Sequence, residues 1–295
     1  MAKKIICGIL VTIIVWIAFV WCKYIFFKKE YSQQEINTTF NDLGLNPPIY
    51  DSIHLGENEI YYLTNKANKQ SVDSKPFLFL LHDSGKNAAF FLRYFKDQNI
   101  NQNYHLIAID RIGFGKTIAN EDMSYHNKVS IFQKSIQHIL SKEELQDQKL
   151  NFISSGSSSM AGILAYDSYA NKNTKTFIFY PKIDPRFIAS KLLSELFVSF
   201  KILFPEGFIK KQKDLLFWDF VRNEDQVTWL NKAKIKEEKI GKENKDYKGV
   251  YFMVTNKSFE HKVNEITSSK SFVIEAVKRR SIYRKPDFVK NIIEK

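Results

Sequence analysis

The run LNFISSGSSSMAG at 150–162 brings an apolar stretch into a cluster of serines and small residues, and an amphipathic segment follows. A strand that turns sharply into a helix through small residues has the layout of a nucleophile elbow, which holds a serine hydroxyl above a sheet edge. The residues two places before and two after such a serine must be small. Ser159 has Ser157 and Ala161 at those places, Ser157 has Ser155 and Ser159, and Ser158 has Gly156 behind but Met160 ahead. Ser159 is therefore the first candidate nucleophile, with Ser158 and Ser157 behind it. The same run also reads as a polar turn and helix N-cap.

Two further segments carry potential chemistry. In FLFLLHDSGKNAAFF at 77–91, an apolar run ends in His82 before a glycine. Backbone N–H groups at Asp83 and Ser84, with that of Met160, would suit a developing oxyanion. A histidine at a strand end serves equally as a structural hydrogen-bonder. In IDRIGFGKT at 109–117, a phosphate-binding loop G-x-x-x-x-G-K-[ST] would need Gly at 110, where Asp110 stands. The segment reads instead as a strand running into a tight turn at Gly113 and Gly115. Both cysteines, Cys7 and Cys22, lie in one N-terminal apolar stretch, which argues against disulfide, thiol-nucleophile or thiolate-metal chemistry elsewhere. No ligand cluster points to a metal or redox cofactor.

These residues sit in a chain of 295, with 44% hydrophobic and 26% charged residues, the composition of a folded protein. Its net charge is +12, but only seven of the 44 basic residues are Arg. The lysines are spread and mixed with acids, as in KAKIKEEKIGKENKDYK at 232–248, which argues for a solvated surface and against nucleic-acid readout. From Ile5 to Cys22 no residue is charged. A helix of that length, at about 1.5 Å per residue, comes close to crossing a hydrocarbon core of about 30 Å. Trp16, Trp21 and Tyr24 mark its far end as an aromatic belt, with Lys23, Lys28 and Lys29 beyond. The exit AFVWCKY lacks the small residues of a cleavage site, so residues 1–29 are expected to be a retained single-pass anchor. The default topology of such an anchor leaves the remaining chain outside the cytoplasm.

Residues 30–49 read as a polar stalk, and the main domain is expected over 50–295. Apolar runs at 60–63, 77–81, 106–109, 150–153, 176–180, 250–254 and 271–276 suit strands buried on both faces. Helical segments at about 87–97, 125–140, 160–171 and 286–294 fall between them, giving a βαβα rhythm and a mostly parallel sheet. The fold class is α/β. An insert at about 185–247, with Phe187, Leu192, Phe197, Phe200 and Phe204 at helical spacing, reads as a helical cap over the sheet and an acyl or other apolar pocket.

The order of these pieces resembles the α/β-hydrolase family. FLLHDSG looks like its third strand and oxyanion loop, IAIDRIGFGKT like its fourth-strand turn, and SSSMAG like its elbow, and the resemblance extends over about residues 50–295. It implies hydrolysis by a nucleophile, an acid after strand 6 or 7 and a histidine after strand 8. Counting back from Pro286 places Arg279 where that histidine belongs, and no histidine follows His261. The acid's place falls near Ser258, leaving Glu260 or Asp184 as substitutes, and Asp83 stands where the oxyanion loop has glycine. These departures imply a catalytically degenerate, membrane-anchored domain that binds a ligand or partner. The alternative is an active serine hydrolase, an esterase or acyl hydrolase, with a base relocated to His261.

Overall fold

The computed structural model describes residues 2–27, 31–65, 75–83, 86–118, 123, 125–142, 149–169, 173–179, 196–205, 208–209, 223–243, 249–254, 273–276, 290–291 and 293. Eight strands form one sheet: β1 (Ile49–Leu55), β2 (Asn58–Thr64), β3 (Phe77–Leu81), β4 (His105–Ile109), β5 (Leu150–Ser155), β6 (Lys175–Phe179), β7 (Val250–Val254) and β8 (Val273–Ala276). Their spatial order is β1-β2-β4-β3-β5-β6-β7-β8. β2 runs antiparallel to both β1 and β4, and every other neighbouring pair is parallel.

Alternation along the central strands divides the core into two layers. Phe77, Phe79 and Leu81 of β3 face one side with Ile107 and Ile109 of β4, while Leu78, Leu80, Leu106 and Ala108 face the other. Both faces are covered by helices, which explains why these strands read as unbroken apolar runs. On the first face lie α5 (Tyr125–Lys142) and α6 (Ser159–Tyr169). On the second lie the 3₁₀ turn Ala88–Phe91, then α3 (Leu92–Lys96) and α4 (Gln98–Asn103). The expected helix at 87–97 forms as the 3₁₀ turn continued by α3, and it ends at Asp97, which takes an extended backbone and caps α4, its carboxylate accepting from the Ile100 N–H at 3.0 Å.

Three expectations need correction. Residues 30–49 are no plain stalk, because they hold α2 (Gln33–Asn41), whose Ile36 and Phe40 are fully buried in the second core layer. A capping box between Ser32 and Glu35 starts this helix, and Gln33 ties it to β1 by accepting from the Tyr50 N–H at 3.0 Å. β1 itself was not expected: it is an edge strand, mostly half-buried, so IYDSIHL has no uniform apolar run. The third correction concerns the insert. Within the expected insert, the helix at Asn223–Glu243, named α7 here, packs on α6 with Ala233 fully buried and Lys236 3.4 Å from Asp167, so this part of it is a layer helix. Phe187 and Leu192 lie outside the described residues.

The N-terminal α1 (Ala2–Phe27) contains an 18-residue window, Ile5–Cys22, that is long and apolar enough to cross a membrane and is only 6% buried.

Candidate active site

The parallel registers bring the carboxyl ends of β3, β5, β6, β7 and β8 to one sheet edge, with Leu81 beside Ser154, Ser155 beside Phe179 and Val254 beside Ala276. Three chain segments build the site there. After β5, Ser155 is still extended (φ −145°, ψ 138°), Gly156 turns to φ 56°, and Ser159 is already helical (φ −55°, ψ −45°). After β3 come His82 and Asp83. The carboxylate of Asp83 lies directly over the α-carbon of Gly156, in the space that a Cβ on residue 156 would fill.

The third segment follows β4. Asp110 is fully buried and accepts from the Ala88 N–H at 2.7 Å and the Lys116 N–H at 2.9 Å. Gly115 sits against that carboxylate at φ 56°, where any Cβ would collide with it. Thr117 accepts from the Tyr61 N–H at 2.9 Å, fastening the turn to β2. The tight glycine turn is thus built around a carboxylate that occupies its centre.

His82 belongs to this scaffold. It is fully buried; its Nδ1–H donates to the Asp83 carbonyl at 3.0 Å and its Nε2 accepts from the Arg111 N–H at 3.1 Å. Burial above all, then the neighbouring Arg111 charge, holds its pKa well below the ordinary imidazole range. With both ring nitrogens engaged, the imidazole is neutral and structural, and is not positioned to take a serine's proton.

No protein-family model and no curated protein sequence matches the chain. Solved structures do. A protein named as a lipase, from Acinetobacter baumannii, superposes with a TM-score of 0.58 at 14% identity, over 90% of this chain and 96% of that one. A soluble variant of the monoglyceride lipase of Saccharomyces cerevisiae gives 0.55 at 10%, over 90% and 96%. A membrane phospholipase A, described as a bacterial virulence factor, gives 0.53 at 13%, over 99% and 98%. The chain has the α/β-hydrolase fold.

In the α/β-hydrolase fold the nucleophile sits on the strained turn between a sheet strand and the following helix, with its side chain above the sheet. Here the positive-φ residue of that turn is Gly156, with small Ser154 and Ser158 two places before and after it. Ser159, the expected nucleophile, is placed elsewhere. That serine lies in the first turn of α6, buried, with its hydroxyl bonded back to the Gly156 carbonyl. Ser158 is also fully buried: its Oγ accepts from the Ser155 N–H at 2.9 Å and lies 2.9 Å from both the Leu81 and Ser155 carbonyls. It staples β5 to β3 as a capping residue. The backbone of Ser157 lies in the short 3₁₀ turn and that of Met160 in α6.

Asp83, expected to lend a backbone N–H to an oxyanion, also brings its carboxylate over the elbow. That carboxylate lies in the space beside the turn where the fold's nucleophile would stand. Ser84, Asp184, Glu260 and His261 lie outside the described residues. Sequence reasoning missed Gly156. The available signal was its own flanks, since Ser154-x-Gly156-x-Ser158 is the elbow pattern with serine and glycine exchanged.

Proposed function

We propose that this is a membrane-anchored α/β-hydrolase-fold domain that no longer hydrolyses and acts by binding a ligand or a partner. The observation that carries the reading is the elbow: a glycine at φ 56° under the Asp83 carboxylate. A glycine offers no hydroxyl to acylate, and the carboxylate repels the charge that acyl transfer creates. Ser158 and Ser159 are buried, and their hydroxyls are bonded to backbone carbonyls. Arg279 in the sequence position of the family's histidine supports the same conclusion from another part of the chain. The α1 helix supplies the anchor, with the folded domain on the non-cytoplasmic side, and the resemblance to lipases and a membrane phospholipase favours an acyl-chain ligand.

Fluorophosphonate labelling of the full-length chain in detergent, beside Ser158→Ala, Ser159→Ala and His261→Ala variants, tests the reading. Folded wild-type protein is expected to stay unlabelled. Labelling that disappears in one serine variant and falls in His261→Ala would establish an active hydrolase with a relocated base, and would overturn the proposal.

A further inference from the structure

Described residues of the expected cap insert pack against α1. Phe197, Phe204, Phe208 and Ile209 form a separate apolar cluster with Ile17 and Val20 of α1. Trp16 stacks on Phe197 with ring centroids 5.3 Å apart and meets Phe204 edge-on at 5.7 Å. The Trp21 indole N–H donates to the Leu203 carbonyl at 3.0 Å. The outer surface of the segment is apolar as well: Leu196, Phe200, Ile202 and Leu203 are exposed, Ile202 to 89%.

These contacts fix a depth. If Trp16 and everything after it stood outside a bilayer, Ile5–Val15 would remain to cross it, about 16 Å of helix against about 30 Å of hydrocarbon. A spanning α1 therefore draws its partners at Trp16 about 9 Å below the Cys22 end, into the leaflet. The segment's backbone is prepared for that setting. The amides of Phe200, Leu203, Phe204, Phe208 and Ile209 all donate to carbonyls within the segment, as hydrocarbon requires. Exposed Lys201 is long enough to reach headgroups.

We infer that residues 196–205, with Phe208 and Ile209, are embedded in the membrane leaflet beside α1, so that the domain has a second membrane contact that fixes its orientation to the surface. The inference rests on the anchor reading, and the occupant of the Leu196–Leu203 face is the acyl region of the same bilayer.

The test uses the full-length chain, with Cys7→Ala and Cys22→Ala, carrying Ile202→Cys or the control Lys232→Cys. Each is labelled with an environment-sensitive fluorophore and reconstituted in phosphatidylcholine–phosphatidylglycerol vesicles. The label at 202 is expected to shift to the blue, to be quenched by shallow spin-labelled lipids and to resist aqueous iodide. The label at 232 is expected to behave oppositely. Iodide quenching at 202 in protein that resists carbonate extraction would overturn the inference while leaving the anchor intact. Release by carbonate would overturn the anchor reading and the inference with it. A blue shift without lipid quenching, lost on dilution with lipid, would mean that a second copy covers the face, and would also overturn it.

Discussion

At residue 156 the backbone and the neighbouring side chain both exclude a nucleophile, and the two exclusions are separable by mutation. Gly156→Ser has to accept φ 56° and displace the Asp83 carboxylate, which should cost about 2 kcal/mol or more. With Asp83→Gly alongside, only the left-handed backbone remains to be paid for, at about 1 kcal/mol. The double-mutant cycle, measured by urea unfolding of the full chain in micelles, should return a favourable coupling of about 1 kcal/mol. Additive costs would mean that the carboxylate does not occupy the space above residue 156. His82 gives a second expectation at this scale. Its buried imidazole refuses a proton that the unfolded chain accepts near 6.5. Stability should therefore be complete above about that pH and fall as pH drops below it, by at most about 1.4 kcal/mol per pH unit for one proton. Melting temperatures of wild type and His82→Gln across pH 5 to 8 check the slope, which the variant should flatten.

Elements differ in how legible they were, and burial accounts for the difference. Strands β3 to β7 each carry an apolar run, such as FLFLL in β3 and LIAI in β4, and each is visible as a run. β1 is half-buried at the sheet edge, and its IYDSIHL carries no such mark. In α2 only Ile36 and Phe40 reach the core, and two apolar residues in nine look like a linker until the core that receives them is known. The elbow illustrates a different limit. A requirement for small flanking residues is met in several overlapping registers of SSGSSSMAG, and what separates them is the sign of φ at one residue. A glycine at the apex also removes the side chain that a motif search looks for. The insert between β6 and β7 shows a third limit: aromatic spacing shows that a face is apolar, but not whether a sheet or another helix receives it. Phe197 and Phe204 found α1.

Over the whole molecule, catalysis in this fold needs groups from separate strand ends at one sheet edge, and the proposed reading has this chain depart from that pattern at three sequence positions. Asp83 follows β3, Gly156 follows β5, and Arg279 follows β8 in sequence. Repairing one site should accordingly restore almost nothing, since a nucleophile without its base retains only the residual catalysis of binding and oxyanion contacts. Asp83→Gly with Gly156→Ser is expected to label with fluorophosphonate at that residual rate. Adding Arg279→His should raise the rate on the order of 10²- to 10⁴-fold, the usual contribution of a general base. Labelling kinetics of the double and triple variants, with circular dichroism to verify folding, make the comparison. If the double variant labels as fast as the triple, a base already reaches the elbow, with His261 the histidine to test next, and the proposed block would reside in residues 83 and 156 alone.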